Sequence, residues 1–283
     1  MSDTANCLNC GAMMTGPYCS SCGQKQVQQD LTLSEFLSET TQELTHWEGK
    51  VPTTLKVLFL QPGRLTQEFL AGRRARWLPP LRLYLICSLV YFVGDALGEG
   101  ITHRSERELA KMTVTGADGR VSLTPEGRQQ VAKLPVAKLV GMERVEHAVV
   151  NNAKFNQTIE SALPKAMFVL LPLFAFMTLI AWRRTMPRYP AHLYLALHLH
   201  AAWFAALALM SILTMFVTSI GVLTVAGFVM LAYIVWYGLM AARRVFAESW
   251  ARTIAKAAAV IVAYGVVLNG VTTIILGYAI VSS

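Results

Sequence analysis

The sequence predicts an all-α integral membrane protein, with five transmembrane helices, a small zinc-ribbon-like knuckle at the N-terminus and a short extracytoplasmic α/β insertion. Three observations predict it. Apolar residues make up 54% of the 283-residue chain and charged residues only 15%, a balance outside that of ordinary soluble domains. Five apolar runs, nearly free of charge, punctuate the chain. Two Cys-x-x-Cys pairs lie within its first thirty residues.

The runs cover 81–98, 166–182, 192–218, 221–242 and 257–281. Crossing a hydrocarbon core of ~30 Å takes about 20 residues. The last three runs clear that length. The first two sit at its lower limit, so a re-entrant or interfacial helix is the alternative for either. The first thirty residues hold no apolar stretch of signal-peptide type, so insertion is expected through the internal helices.

Lys and Arg set the orientation. Arg64, Arg73, Arg74 and Arg76 precede the first run, with Glu68 the one acid among them. Arg183, Arg184 and Arg188 separate the second from the third. Arg243, Arg244, Arg252 and Lys256 separate the fourth from the fifth, opposed by Glu248. The link between the third and fourth runs carries no charge, nor does Ser282–Ser283. These basic connections share one side if the N-terminus is cytoplasmic and the C-terminus extracytoplasmic. The segment 99–163 then lies outside; its charges nearly balance, and loops of that length follow the rule poorly.

The N-terminal motif reads Cys7-Leu8-Asn9-Cys10-Gly11, then Tyr18-Cys19-Ser20-Ser21-Cys22-Gly23-Gln24. Cys7, Cys10, Cys19 and Cys22 can place four thiolates around one Zn²⁺ at about 2.3 Å. Each following Gly permits the tight turn beneath the metal. Two disulfides or a redox pair are the alternatives, which a reducing cytoplasm and the absence of a βαβ context disfavour. A closed four-thiolate site has no open position for substrate, so the metal is structural. Within 1–30 only Lys25 is basic, against Asp3 and Asp30. That is no footprint for nucleic acid, which leaves a protein-docking tag or a cap on the bundle.

A helix is expected next. Thr32-Leu33-Ser34-Glu35 fits a capping box, and Leu33, Phe36, Leu37, Leu44 and Trp47 share one stripe. Glu35, Glu39 and Glu43 lie off that stripe. An acidic face suits packing on protein better than on anionic lipid. Beyond it, the apolar run 55–60 stops at Pro62-Gly63, and a short helix at 64–71 ends at Gly72. Arg73, Arg74, Arg76 and Trp77 then form the Arg-plus-aromatic pattern of a lipid head-group anchor.

The Cys-x-x-Cys-Gly pair, the ending Tyr18-Cys19-x-x-Cys22-Gly23-Gln24 and the run Pro62-Gly63…Gly72-Arg73-Arg74…Pro79-Pro80 resemble an uncharacterised bacterial membrane family. Its members join an N-terminal four-Cys zinc knuckle to several spans. The resemblance covers roughly the first 95 residues and implies a bacterial inner-membrane location, with no activity to carry over. A looser likeness is to bacterial zinc-ribbon membrane proteins that assist lipid transport between envelope membranes. Those have two ribbons where this chain has one.

In 99–163, Val114-Thr115 and Arg120-Val121 suggest a hairpin closed by a four-residue connection. Thr124-Pro125-Glu126 marks a helix start, and 136–151 has helical periodicity. No triad, metal motif or phosphate loop is present there. The chain is thus read as a knuckle at 1–30 and cytoplasmic amphipathic and interfacial helices at 31–80. The first span (81–98), the extracytoplasmic segment (99–163) and a bundle of the remaining spans (164–283) follow.

No enzymatic activity is expected, because Asp95 is the one acid inside any run and catalysis needs groups converging at one depth. Transport or lipid handling is preferred to a scaffold or sensor that recruits a cytoplasmic partner, since a scaffold needs fewer spans. Membrane lipids are expected partners, and a homo-oligomer is compatible with the sequence. A polar pathway would pass Asp95, His198, His200 and Asn269. Ionisable groups at a span's centre cost on the order of 2.5–3.5 kcal/mol and turn toward protein or water. The plainer alternative is interhelical hydrogen bonding, worth about 0.6 kcal/mol each. His198 and His200 project ~200° apart on a helix, so at most one faces a pathway.

Overall fold

A computed structural model describes residues 6–26, 49–97, 113–115, 121–133, 135–150, 152–217 and 219–282. The capping box at 32–35 and the helix after it lie outside the described residues. The elements after the knuckle are α1 (Val51–Leu60), α2 (Arg64–Leu70), α3 (Pro80–Leu97), β1 (Thr113–Thr115), β2 (Val121–Leu123), α4 (Pro125–Ala132), α5 (Pro135–Val140) and α6 (Met142–Val150). Four long helices complete the chain: α7 (Asn152–Trp182), α8 (Tyr189–Phe216), α9 (Ile220–Phe246) and α10 (Trp250–Ser282).

Among the described residues, four stretches are long and apolar enough to cross a membrane: Pro164–Trp182, Tyr189–Thr214, Gly221–Phe246 and Trp250–Ser282. The helix of the first expected span, α3, has 18 residues, and among the described residues its apolar stretch covers Pro80–Gly94. A helix of that full length rises about 27 Å against the ~30 Å of a hydrocarbon core. The expected boundary at 163 falls inside α7, which begins at Asn152 and stays helical to Trp182. Pro190 starts α8 where its missing N–H has no cost. At the end of α9, Ala247 takes the left-handed conformation (φ 52°) and its N–H donates to the Arg243 carbonyl at 2.9 Å. Arg243 and Arg244 occupy the last turn of α9, where cations suit the helix dipole.

The chain forms two compact units, Met1–Val93 with Leu171–Val260 and Gly94–Leu170 with Ile261–Ser283. In the second, β1 and β2 pair antiparallel, Thr113 with Leu123 and Thr115 with Val121. Residues 116–120, which join the two strands, lie outside the described residues. Thr124 caps α4 by accepting the Gly127 N–H at 3.1 Å. The helix expected at 136–151 breaks at Gly141 (φ 90°), which separates α5 from α6. Leu123, Ala137, Val145 and Ala148 form a small core with Ile280, and Leu276 packs against it. The β-hairpin and α4–α6 thus rest on the final turns of α10.

In the first unit α8 is the central helix, buried almost continuously from Ala191 to His198. Against it lies a wedge made of α1, the Pro62-Gly63 turn and α2. Leu58, Leu65, Thr66 and Phe69 are its buried face. The Tyr233 hydroxyl donates to the Phe59 carbonyl at 2.9 Å, and the Arg244 guanidinium to the Pro62 carbonyl at 2.6 Å. The Gln67 amide donates in return to the Arg244 carbonyl at 2.7 Å. These bonds satisfy backbone groups that a break between helices would otherwise strand. Where the helices meet at the basic connections, Trp182 stacks on Phe246 (4.4 Å between centroids, 11° between planes). Lys256 sits over the same Trp182 ring at 5.6 Å and pairs with Glu248 at 2.7 Å.

Candidate metal centre

The knuckle is built twice from one local pattern. Cys7-x-x-Cys10-Gly11 recurs twelve residues later as Cys19-x-x-Cys22-Gly23. In each half the first Cys N–H donates across the turn, Cys7 to Ala12 O at 2.8 Å and Cys19 to Gln24 O at 2.9 Å. The Gly N–H groups return to the first Cys carbonyls, both at 2.8 Å. Gly11 and Gly23 take φ values of 77° and 71°, as such a turn demands. Bridges between Asn6 and Met13 and between Tyr18 and Lys25 close the two halves.

This doubling brings the four sulfurs together. Cys7 and Cys22 lie 3.6 Å apart, Cys10 and Cys19 3.5 Å, and all four fall within 4.8 Å of one another. A sulfur–sulfur bond would be near 2.05 Å, so these are free thiols. A tetrahedron of sulfurs at ~2.3 Å from a metal has edges of about 3.8 Å. The cluster has that size, and four soft donors suit a borderline or soft cation. The four cysteines could therefore hold one metal ion.

Electrostatics prepare the site for a cation. The Gln24 N–H lowers the Cys22 thiol to about 6, and the N–H groups of Cys22 and Ser21 hold Cys19 below its ordinary value. The Ala12 N–H acts the same way on Cys10, but desolvation and the neighbouring sulfurs outweigh it and raise that thiol to about 11. Four sulfurs this close cannot all carry negative charge by themselves. A bound cation lets them.

The knuckle does not stand free of the helices. Gln24 is buried, and its Nε2 donates to the Gly72 carbonyl at 2.7 Å. Its Oε1 accepts the N–H groups of Arg74 at 2.9 Å and Ala75 at 3.0 Å. Leu8 covers Gly72 so closely that a Cβ there would lie 2.5 Å from Leu8 Cδ1. The loop between α2 and α3 is thus held by the residue just past the second thiol pair.

Of the residues read as a head-group anchor, three are taken up by protein contacts. Trp77 is buried. Arg73 donates to both oxygens of Glu68, at 2.8 and 3.0 Å, and holds that carboxyl below the usual range. The Arg74 guanidinium lies over the Tyr194 ring at 5.7 Å. Arg76 is exposed.

Of the four pathway residues, His198 and His200 lie in the first unit. His198 is buried, with Nδ1 hydrogen-bonded to the Thr66 hydroxyl at 2.9 Å and its ring 5.7 Å from that of Phe69. His200, also buried, bonds the Ala196 carbonyl of its own helix at 2.8 Å and meets the Phe174 ring edge-on. Asn269 is exposed on α10 and belongs to the second unit. Asp95 lies in the last turn of α3, and its side chain is outside the described residues.

The sequence shows Gln24, Gly63 and Gly72 only as motif residues, without the contacts that each makes, and gives no sign of Thr66 as the partner of His198. One signal for Gln24 was present: it stands where the internal repeat puts Ala12, so it departs from the symmetry its neighbours keep.

The family described as "Protein of unknown function (DUF3667)" matches residues 48–92, which take in α1, α2 and most of α3. No match is found among curated proteins or among solved structures. With that match, the four-thiol cluster and several long apolar helices, the chain fits an uncharacterised membrane-type family.

Proposed function

We propose that the chain is a non-enzymatic, five-span protein of a bacterial inner membrane, N-terminus inside and C-terminus outside, whose knuckle holds a structural zinc ion. We read its role as that of a scaffold or sensor, presenting a fixed cytoplasmic face to a soluble partner. The observation that carries this reading is the Gln24 clamp on the 72–75 loop, which makes the knuckle part of that face. Zinc is the usual occupant of a short four-thiolate knuckle. As a fifth span α3 can cross by local thinning of the bilayer, at a modest cost for each ångström of mismatch.

Native mass spectrometry of the protein taken from its own membrane tests the role. A soluble protein held in stoichiometric amount supports the scaffold, whereas bound lipid together with lipid or ion flux overturns it. The transport or lipid-handling reading keeps one observation in its favour: His198 Nε2 is buried in α8 without a hydrogen-bond partner, beside the wedge where α1 and α2 are interrupted. His198→Ala should abolish flux with folding intact if that reading holds.

Topology is tested separately. Reporters fused after Arg188 and after Arg252 are expected to read cytoplasmic. Reporters near Gly119 and after Ser283 should read extracytoplasmic, on the Lys/Arg asymmetry of the connections. A cytoplasmic C-terminus would mean that α3 or α7 fails to span.

A further inference from the structure

We infer that Gln24 couples the metal site to the membrane helices, so that metal in the knuckle fixes the 72–75 loop and metal removal releases it. The inference rests on the reading that the four thiols hold zinc. Its basis is that one residue takes part in both structures. The main chain of Gln24 belongs to the knuckle, with its N–H turned to the Cys22 sulfur and its carbonyl accepting the Cys19 N–H at 2.9 Å. Its side chain belongs to the loop, where its oxygen and nitrogen make bonds of 2.7 to 3.0 Å to Gly72, Arg74 and Ala75.

From the loop the contacts continue inward. Arg73 pairs with Glu68 of α2, and Arg74 covers Tyr194 of α8. One turn before the loop, Phe69 packs on Tyr194 and His198. A short relay of named contacts therefore joins Cys22 to the central helix.

Metal dependence follows from the size of the knuckle. Among the described residues its own core is Cys7, Met14 and Cys19, with Ala12 and Cys22 packed alongside. So few apolar groups cannot order a segment of this length, and metal binding then supplies the folding free energy. Without the ion the Gln24 backbone has no fixed place. The loop N–H groups of Arg74 and Ala75 then lose the acceptor that holds them.

Spatial adjacency alone does not establish coupling, so the test is a two-by-two cycle on the full chain in detergent. Wild type and Gln24→Ala are each prepared zinc-loaded and after chelation, and zinc content is measured on every sample. Limited trypsin cleavage after Arg73 and Arg74 is the readout. Cleavage after Arg184, on a connection Gln24 does not touch, is the internal reference. Proteolysis tracks the population of the open loop, and losing three hydrogen bonds should raise it about tenfold or more.

In wild type, chelation is expected to raise cleavage after Arg73 and Arg74 by that factor, with the Arg184 reference unchanged. Zinc-loaded Gln24→Ala should retain its zinc, cleave at the fast rate and no longer respond to chelation. Gln24→Met keeps the length and burial without the hydrogen bonds. It decides the matter if the Ala variant loses zinc. A role limited to general stability would raise cleavage but preserve the zinc response, and that result overturns the coupling. So does a wild-type loop indifferent to chelation while zinc analysis shows the ion leaving. A chain that takes up no zinc fails the metal reading itself, which the zinc analysis reveals independently of the trypsin result.

Discussion

Cys10→Ser is expected to abolish metal binding and unfold the segment 6–26 while the long apolar helices stay in the membrane. Structural zinc contributes on the order of 10–16 kcal/mol of apparent binding free energy to small knuckles at neutral pH, and a Ser hydroxyl does not replace a thiolate ligand. Cys10 is exposed, so the change opens no cavity and isolates the ligand role. The apolar helices depend on lipid, not on the knuckle. Elemental analysis should find one zinc per wild-type chain and none in the variant, with equal amounts of both proteins in the membrane fraction. Cys87→Ser, at a buried position on α3 outside the thiol cluster, should leave the zinc content unchanged. A wild-type chain without metal and with four titratable free thiols would sink the reading.

Local pattern and tertiary contact divide what the sequence could disclose. The four cysteines were legible because metal geometry imposes close ligand spacing, and the Thr124 cap because its chemistry lies within four residues. The long helices were legible because lipid demands continuous apolar sequence. Hydropathy does not distinguish an apolar helix that meets lipid from one that packs on protein. The run at 55–60 and the turn at Pro62-Gly63 therefore gave no hint of a wedge, which exists through partners such as His198, 132 residues from Thr66. For the same reason Trp77 reads as an interfacial anchor, although in the fold it is buried. His198 stands out in the sequence as an ionisable residue inside an apolar run. Its partner Thr66 lay in a segment that looked merely interfacial.

The wedge makes the second large effect predictable. Gly63 has φ 76°, and a Cβ there would lie 2.9 Å from both Cα and O of Ala241 in α9. Those are backbone atoms of a long helix, which cannot rotate away. Gly63→Ala therefore combines about 1–2 kcal/mol for the left-handed conformation with about 1–3 kcal/mol for overpacking. Gly72 offers the comparison, with φ 75° and a would-be Cβ 2.5 Å from Leu8 Cδ1. Here the obstacle is the end of a flexible side chain, so Gly72→Ala should cost little beyond the ~1–2 kcal/mol of conformation. Thermal unfolding of the purified proteins in one detergent is expected to order the midpoints wild type, then Gly72→Ala, then Gly63→Ala. Asn separates the two causes, because it tolerates the left-handed region yet still carries a Cβ. Gly72→Asn should recover much of the loss seen with Ala, while Gly63→Asn should remain as damaging as Gly63→Ala. If Gly63→Asn unfolds with the wild-type midpoint, the wedge does not press on α9 as closely as described.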